Sequence, residues 1–473
     1  MSVTKPTTKI VFDPGPRKEP ALQGISDEDG TLRLPGTDHL GCGYNVFKGK
    51  DFPDSSASGE SLFDLGTYEP DTTLGTTYLA PNRIRVLKPA KGMFETTEGE
   101  TAREYQKNLA VQFGIDIEDV TGAFGGALDF RFDRSVRRCS SAYFLSRYMR
   151  LHRGLLRLPD DHRDMLTEDA KRDLETRDPE DLFEKYGTHY LYGLVIGAEA
   201  IYNVATNTAE VAKDMNISVT AKESLDLTLG RIESTQGAEF RERMATFDRH
   251  SSTKLVVRGG RGEYGSDIDR EGNYDKWVES IEGDVAFVAV PEGDLRPIWE
   301  LCDGERRDQI ETAFREYASE FEPEPEPTIA PVFGYSADNP RRWYYSLSPS
   351  DKVTGGWTHH EKPFFYVSTE PETNGAGEDV RVPVYRHSSP DPIRYKLSVK
   401  QHEGHKWSDE TEPVWYAYPP EAADAPGRVA IYGHTAPTHT GTSGWFYNVR
   451  DEPRGWNRKE LAFYADVVEF GSA

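Results

Sequence analysis

The residues best placed to do chemistry stand in EKYGTHYLYGLVIGAEA (184–200), where Tyr186, Gly187, Thr188, His189 and Tyr190 form an unbroken row. A hydroxyl beside an imidazole invites a catalytic reading. The local pattern favours another. Gly187 permits a tight or left-handed backbone, Thr188 can bond its own backbone, and His189 reads as a hydrogen-bonded structural histidine. HEGH (402–405) lacks the spacing of a zinc helix, and no Gly-x-Ser-x-Gly elbow or Walker loop occurs. No enzyme and no cofactor are expected. DIDREGNYD (267–275) places Asp267, Asp269, Glu271 and Gly272 at the first, third, fifth and sixth positions of a calcium loop. Val278 stands where the closing glutamate belongs, so an acidic turn is expected and Asp267, Asp269 and Glu271 are weak metal candidates. Seven of the twelve histidines follow residue 331, in loops that read as surface rather than as metal or acid-sensing sites. The three cysteines, Cys42, Cys139 and Cys302, form neither a disulfide framework nor a zinc pattern.

The elements around the row can be read from periodicity. Tyr190, Tyr192, Leu194 and Ile196 alternate with Leu191, Gly193 and Val195, which predicts a strand buried on both faces. YFLSRYMRLHRGLLRL (143–158) reads as a long strand or an amphipathic connector, 167–186 as polar helix, and 300–321 as a helix with Ile310, Ala313, Phe314 and Tyr317 inward.

Length and charge narrow the function. A chain of 473 residues predicts two or three domains. Lys plus Arg number 56 against 80 Asp plus Glu, a net charge of −24 with no basic stripe, which disfavours nucleic acid and anionic lipid as first partners. The N-terminal segment has no apolar core of a signal peptide, and no apolar run is long enough for a membrane helix. The expectation is a chain made soluble that reaches the outside by another route.

Residues 1–36, rich in Pro, Gly and charge, read as a flexible arm. The alternating Glu and Pro of FEPEPEPTIAP (321–331) favour extended geometry and mark a semi-rigid linker between 37–320 and 332–473. The last part repeats. Trp357, Trp407 and Trp456 stand 50 and 49 residues apart; Phe333, Tyr385 and Tyr432 open the units, and Phe365-Tyr366, Trp415-Tyr416 and Phe463-Tyr464 close them. Three strand-rich units, each too small to bury its own face, predict a pseudo-threefold all-β domain of β-prism or trefoil-like form. The three tryptophans are candidate targeting residues.

Two polar stretches alternate with period two. In GAFGGALDFRFDR (122–134) Phe124, Leu128, Phe130 and Phe132 share a face; in NISVTAKESLDLTLGR (216–231) Ile217, Val219, Leu225, Leu227 and Leu229 do. Both satisfy the pattern of a membrane-spanning β-strand, and a soluble strand with one wet face would look the same. Their flanks, 98–120, 207–216 and 238–250, contain good helix formers, and sequences acceptable both as short helices and as alternating strands are what a conformational switch would require.

The opening row resembles the signature of the membrane attack complex/perforin (MACPF) family: Tyr-Gly-Thr-His, an aromatic residue, six residues, then Gly-Gly. Tyr186 to Tyr190 and Gly197 match, and Ala198 replaces the second glycine. LGCGYNV (40–46) is similar to the family's first central strand, Gly259-Gly260 to the pair at the bend of its sheet, and 274–302 to its closing Trp-containing segment. The likeness covers about 36–320, and the C-terminal module is similar to that of pleurotolysin B-like microbial members. The resemblance implies an α+β MACPF/CDC-type domain, a bent central antiparallel sheet flanked by helical clusters. It implies a homo-oligomer ring on a lipid membrane, with two β-hairpins per subunit drawn from about 98–136 and 207–250. A receptor of lipid, glycan or protein nature, or a second protein component, would recruit it. Gly197, Gly259 and Gly260 would let the sheet open, and the Tyr186–Tyr190 row would brace it. The alternative is a non-lytic member that binds a glycan or partner in adhesion or signalling.

Overall fold

The computed structural model describes residues 7–13, 31–49, 58–89, 92, 94–115, 122–232, 237–338, 341–351, 356–374, 377, 380–390, 393–404, 407–408, 411–422, 426–435, 445–449 and 457–470. Along the chain come β1 (Lys9–Asp13), β2 (Cys42–Tyr44), β3 (Ser58–Ser61), β4 (Tyr68–Asp71), β5 (Tyr78–Pro81), β6 (Arg85–Leu87) and β7 (Phe94–Gly99). A first helical group, α1 (Ala102–Gln112), α2 (Gly125–Arg131) and α3 (Arg134–Arg137), leads into the long β8 (Ala142–Arg157). Then α4 (Glu168–Thr176) and α5 (Pro179–Tyr186) deliver the chain to β9 (His189–Leu191) and β10 (Gly193–Asn207). A second helical group, α6 (Ile217–Thr228) and α7 (Ala238–Arg249), precedes β11 (Ser251–Arg258). The short α8 (Gly262–Gly265), α9 (Asn273–Ser280), β12 (Ala286–Ala289), β13 (Leu295–Pro297) and α10 (Gly304–Ala318) complete this part.

The central sheet has the order β1-β11-β10-β8-β6, with β7 also on β8 and β12 also on β10. All fifteen residues of β10 are buried, because both faces are covered. Ala198, Ala200, Tyr202 and Val204 pack on one side with Ala221, Leu225, Leu229 and Phe247 of the second helical group. The intervening residues meet the first group through polar contacts. Ser146 Oγ donates to Asn203 Oδ1 (2.6 Å), Tyr105 Oη to Ser146 Oγ (2.6 Å), and Arg131 Nη1 to both Tyr105 and Tyr148 hydroxyls (2.6 Å each). The two helical groups therefore lie on opposite faces of one sheet.

Several expectations change here. The stretch from Tyr190 to Ile196 is not one strand. It breaks at Tyr192, whose N–H donates to Asp294 O (2.8 Å) and whose carbonyl accepts from Leu158 (2.9 Å), so the chain steps between two sheets. Nor is Cys42–Tyr44 a central strand: it sits in a separate four-stranded sheet, β13-β9-β2-β3. A Cβ on Gly43 would stand 1.2 Å from Tyr186 O, and that close approach ties the strand to the end of α5. The N-terminal arm is not free along its whole length, since Lys9–Asp13 forms β1. The Glu-Pro stretch carries neither helix nor strand between Glu322 and Thr328, and it is docked. Glu324 N–H donates to Gln106 Oε1 (3.0 Å), Glu324 pairs with Arg137, and Arg103 reaches Glu326 (2.7 Å).

Both period-two stretches contain helix in this state. Asn216 caps α6 by accepting from Val219 N–H (3.0 Å), and Gly230, at φ +68°, ends it. Those caps and an inward row at helical spacing (Ala221, Leu225, Leu229) outweigh the alternation.

After Ile329 a nine-stranded sheet system follows in three like units. They are β14 (Ile329–Asp338) with β15 (Arg341–Ser346) and β16 (Thr358–Ser368); β17 (Val382–Pro390) with β18 (Ile393–Ser398) and β19 (Trp415–Ala417); and β20 (Arg428–Thr435) with β21 (Trp445–Asn448) and β22 (Asn457–Asp466). In each the first strand pairs antiparallel with both others. Val332, Val384 and Ile431 occupy equivalent buried positions. The third strands meet one another at Ser368–Tyr416, Tyr366–Asp466 and Tyr418–Tyr464. Between units, Tyr345 Oη donates to Tyr447 O (3.0 Å) and Tyr447 Oη to Leu397 O (2.9 Å).

Candidate functional site

The Tyr-Gly-Thr-His-Tyr row is a junction. Gly187, at φ +87°, lies so close to β2 that a Cβ would stand 2.5 Å from the Tyr44 carbonyl carbon. Asp173 accepts from Lys185 Nζ (2.8 Å) and Tyr186 Oη (3.1 Å), and those bonds, Lys185 first, hold its carboxyl at about 2. Thr188 Oγ1 donates to Tyr44 O (3.3 Å) and lies 3.0 Å from His189 Nδ1. The His189 ring is 4 % exposed between Trp299 (5.8 Å) and Phe314 (5.6 Å), and desolvation pushes its pKa down to about 3. A neutral imidazole sealed among aromatic rings cannot exchange protons with a substrate. Tyr190 Oη meets His162 Nε2 at 3.0 Å. The row thus joins α5, β2, β9 and α10.

Gly197, Gly259 and Gly260 do come together. A Cβ on Gly259 would stand 2.4 Å from Gly197 O, and one on Gly197 would stand 2.0 Å from Leu151 O. Trp277, fully buried, donates Nε1–H to Gly259 O (2.8 Å) and fills the space beside Gly260. At this point the sheet changes partners. β10 pairs with β12 at Val195–Gly197 and with β11 from Glu199 onward, and its register with β8 shifts between Ile196 and Gly197. Gly154 of β8, opposite Ile196, belongs to the same cluster: a Cβ there would meet Ile196 at 2.9 Å. Sequence reasoning missed Gly154, Gly43 and Gly59 (a Cβ on Gly59 would stand 2.3 Å from Tyr186 O), because only the packed partners reveal why no side chain fits.

The helical groups have a connectivity of their own. α1–α3 join β7 to β8, and α6–α7 join β10 to β11; each pair of strands is antiparallel and adjacent. The intervening segments, 100–141 and 208–250, span 42 and 43 residues. Of the alternating residues, Phe124, Leu128, Phe132, Leu225, Leu227 and Leu229 are buried, Phe130 and Ile217 half-buried, and Val219 is 50 % exposed.

Asp267 and Glu271 face solvent in the turn between α8 and α9, and Asp269 is half-buried. Among the described residues no group of three or more His, Cys, Asp or Glu is placed to hold a metal ion. Trp357 is half-buried, 6.1 Å from the Tyr395 ring and under the Arg342 guanidinium (5.0 Å). Trp407 is half-buried at a turn, and Trp456 lies outside the described residues.

Known proteins can now be set beside this geometry. The family profile MACPF, described as the MAC/Perforin domain, matches residues 31–327. The chain belongs to the MACPF family. Among solved structures it is similar to GNIP1Aa from Chromobacterium piscinae, with a TM-score of 0.58, 18 % identity, and coverage of 92 % of this chain and 82 % of that one. Identity that low speaks to fold alone, but the overlap extends past the MACPF match into the C-terminal units. A cell invasion protein with a MAC/Perforin domain from Bacteroides thetaiotaomicron is also similar, at a TM-score of 0.43 and 15 % identity over 73 % of this chain and 70 % of that one. No described helix is long and apolar enough to cross a membrane, which leaves β-strands untouched as a means of crossing.

Proposed function

We propose that this MACPF protein forms pores: subunits bind a target membrane, assemble into a ring and insert two β-hairpins each into a closed transmembrane barrel. One observation carries the reading. Two helical segments of 42 and 43 residues, each with a membrane-strand alternation, connect strands that are already paired neighbours. Unfurled in register, they lengthen two existing hairpins by nearly equal amounts. Each arm of about 20 residues reaches ~65 Å when extended, enough for a tilted crossing of a ~30 Å hydrocarbon core. Equal length matters because open edges cannot sit in lipid, so all strands of a barrel must span together.

In this reading Phe124, Leu128, Phe130, Phe132, Ile217, Val219, Leu225, Leu227 and Leu229 face lipid after insertion. Gly197, Gly259 and Gly260 give the sheet room to open, while the Tyr186–Tyr190 junction stays braced. The prism- or trefoil-like C-terminal units, with Trp357, Trp407 and Trp456, carry targeting to a receptor or a second component, and no catalysis is involved. Release of dye from target-membrane vesicles, with rings seen by electron microscopy, is the expected result. Membrane binding without rings or release would support the non-lytic alternative instead.

A further inference from the structure

The bend of the central sheet is crossed by an element that belongs to neither larger sheet. On one side of the bend β10 pairs with β12 and β8 with β6; on the other, β10 pairs with β11 and β8 with β7. β4 and β5 form a two-stranded sheet of their own, with Tyr68 opposite Pro81 and Asp71 opposite Tyr78. The root of this hairpin lies on the first side. Only three residues separate Pro81 from β6. Leu79 N–H donates to Leu32 O (2.9 Å), Leu34 N–H donates to Leu79 O (2.8 Å), and the Arg33 guanidinium lies over the Tyr68 ring (4.2 Å).

The other end of the hairpin reaches the bend at two points. Leu74, in the turn, is half-buried, and its Cδ1 would stand 2.8 Å from a Cβ on Gly154, so the leucine lies where Gly154 leaves room. Tyr78, buried, donates its hydroxyl to Glu282 O (3.2 Å). The Glu282 carboxylate pairs with Arg153 (3.2 Å), the neighbour of Gly154. Two residues on, Asp284 O accepts from Gly260 N–H (2.6 Å), just past the end of β11. Through Tyr78 the hairpin therefore spans from β6 on one side of the bend to the end of β11 on the other. The turn itself is built. Asp71 Oδ1 accepts from Thr73 N–H (2.8 Å), and Gly75 N–H donates to Thr72 O (3.0 Å). Thr72, Thr73, Thr76 and Thr77 all face solvent, and Leu74 is the one apolar side chain of 72–77. A single half-buried leucine among exposed threonines holds the turn to the sheet by an amount that a local opening can reverse.

We propose that the β4–β5 hairpin is a strap across the bend, held by Leu74 on Gly154 and Tyr78 on Glu282, and that its release lets the two sides of the sheet swing apart. The inference rests on the sheet opening proposed above, but its first test needs no membrane. Amide hydrogen exchange read by mass spectrometry would compare the parent, Leu74→Ser, Tyr78→Phe and the double variant in peptides covering 150–157, 193–199 and 256–260. Exchange there should be about tenfold or more faster in the double variant, the scale set by half a buried leucine and one hydrogen bond. Peptides covering α10 should exchange at parent rates, which a general loss of stability would not allow. The same variants should release dye from vesicles faster at equal membrane binding. A disulfide in the Leu74→Cys/Gly154→Cys variant should slow exchange at the bend and stop release until it is reduced. A folded double variant with parent exchange at the bend overturns the strap, as does an equal acceleration in α10. If the double variant does not fold, the cross-linked chain decides, and equal exchange in its oxidised and reduced forms overturns the strap. Faster exchange with no dye release from any form supports the strap and counts against the pore. Unchanged exchange in variants that do release dye removes the strap and leaves the pore standing.

Discussion

His189 shows how a residue of catalytic type can be structural. Its folded pKa of about 3 lies below the ~6.5 of an unfolded histidine, because burial disfavours the charged ring. The stability it holds is therefore whole above pH 6.5 and is lost as pH falls toward 3, since only the unfolded chain takes up the proton. By pH 4 the loss should reach about 3 kcal/mol. Calorimetry across pH 4–7 should show a steeper fall in Tm for the parent than for His189→Asn, and parallel curves would refute the assignment. Gly259 is a second case. At φ +67° and with Gly197 O 2.4 Å from where a Cβ would go, Gly259→Ala should lower stability by about 1–3 kcal/mol, read by denaturant unfolding. A neutral outcome there would mean that the two strands part easily even in the single molecule.

At the scale of elements, α6 carries two patterns in one sequence. As a helix it buries Ala221, Leu225 and Leu229; as a strand it would align Ile217, Val219, Leu225, Leu227 and Leu229. Leu227 is itself buried in the helical state, so a charge there would damage the soluble fold as well as the inserted strand. Val219 separates the two, being 50 % exposed on the helix. Val219→Arg should leave the melting temperature almost unchanged yet reduce vesicle leakage, because a charge on the lipid face costs up to about 2–4 kcal/mol per subunit, less near the interface. Asp226→Asn, on the opposite strand face, should retain leakage. Leakage undiminished in Val219→Arg would remove this segment from the bilayer.

For the whole molecule, the two parts are joined by more than the chain. Ile329 exchanges backbone hydrogen bonds with Arg138 and Ser140, and Asn207 Nδ2 donates to Tyr366 Oη (2.5 Å). A chain ending at Glu320 loses these contacts along with the docked Glu-Pro stretch. It should bind target membranes at least about tenfold more weakly and melt at a lower temperature. The isolated 329–473 segment should bind without leakage. Equal binding by the shortened chain would take the targeting role away from the three C-terminal units.

What the sequence determined by itself was local or periodic. The Tyr186–Tyr190 row, the helices near 167–186 and 300–321, and the threefold spacing of aromatic residues all follow from short-range patterns that any packing must respect. Residues 143–158 read equally as a long strand or an amphipathic connector until pairing with β10 makes them a strand. Tertiary structure decided the rest. Whether 216–231 is helix or strand depends on the sheet face opposite Leu225, and alternation alone cannot see a cap at Asn216 or a partner at Ala200. The placement of Cys42–Tyr44 in the smaller sheet depends on contact with Tyr186, some 140 residues away in the chain. A row of ion pairs across the central sheet, from Asp13 through Arg258, Glu199 and Arg150 to Glu95, is the clearest instance. Asp13, Glu95, Arg150, Glu199 and Arg258 share no motif, and only strand register sets them side by side, because pairing across a sheet is fixed by buried faces and hydrogen bonds rather than by distance along the chain.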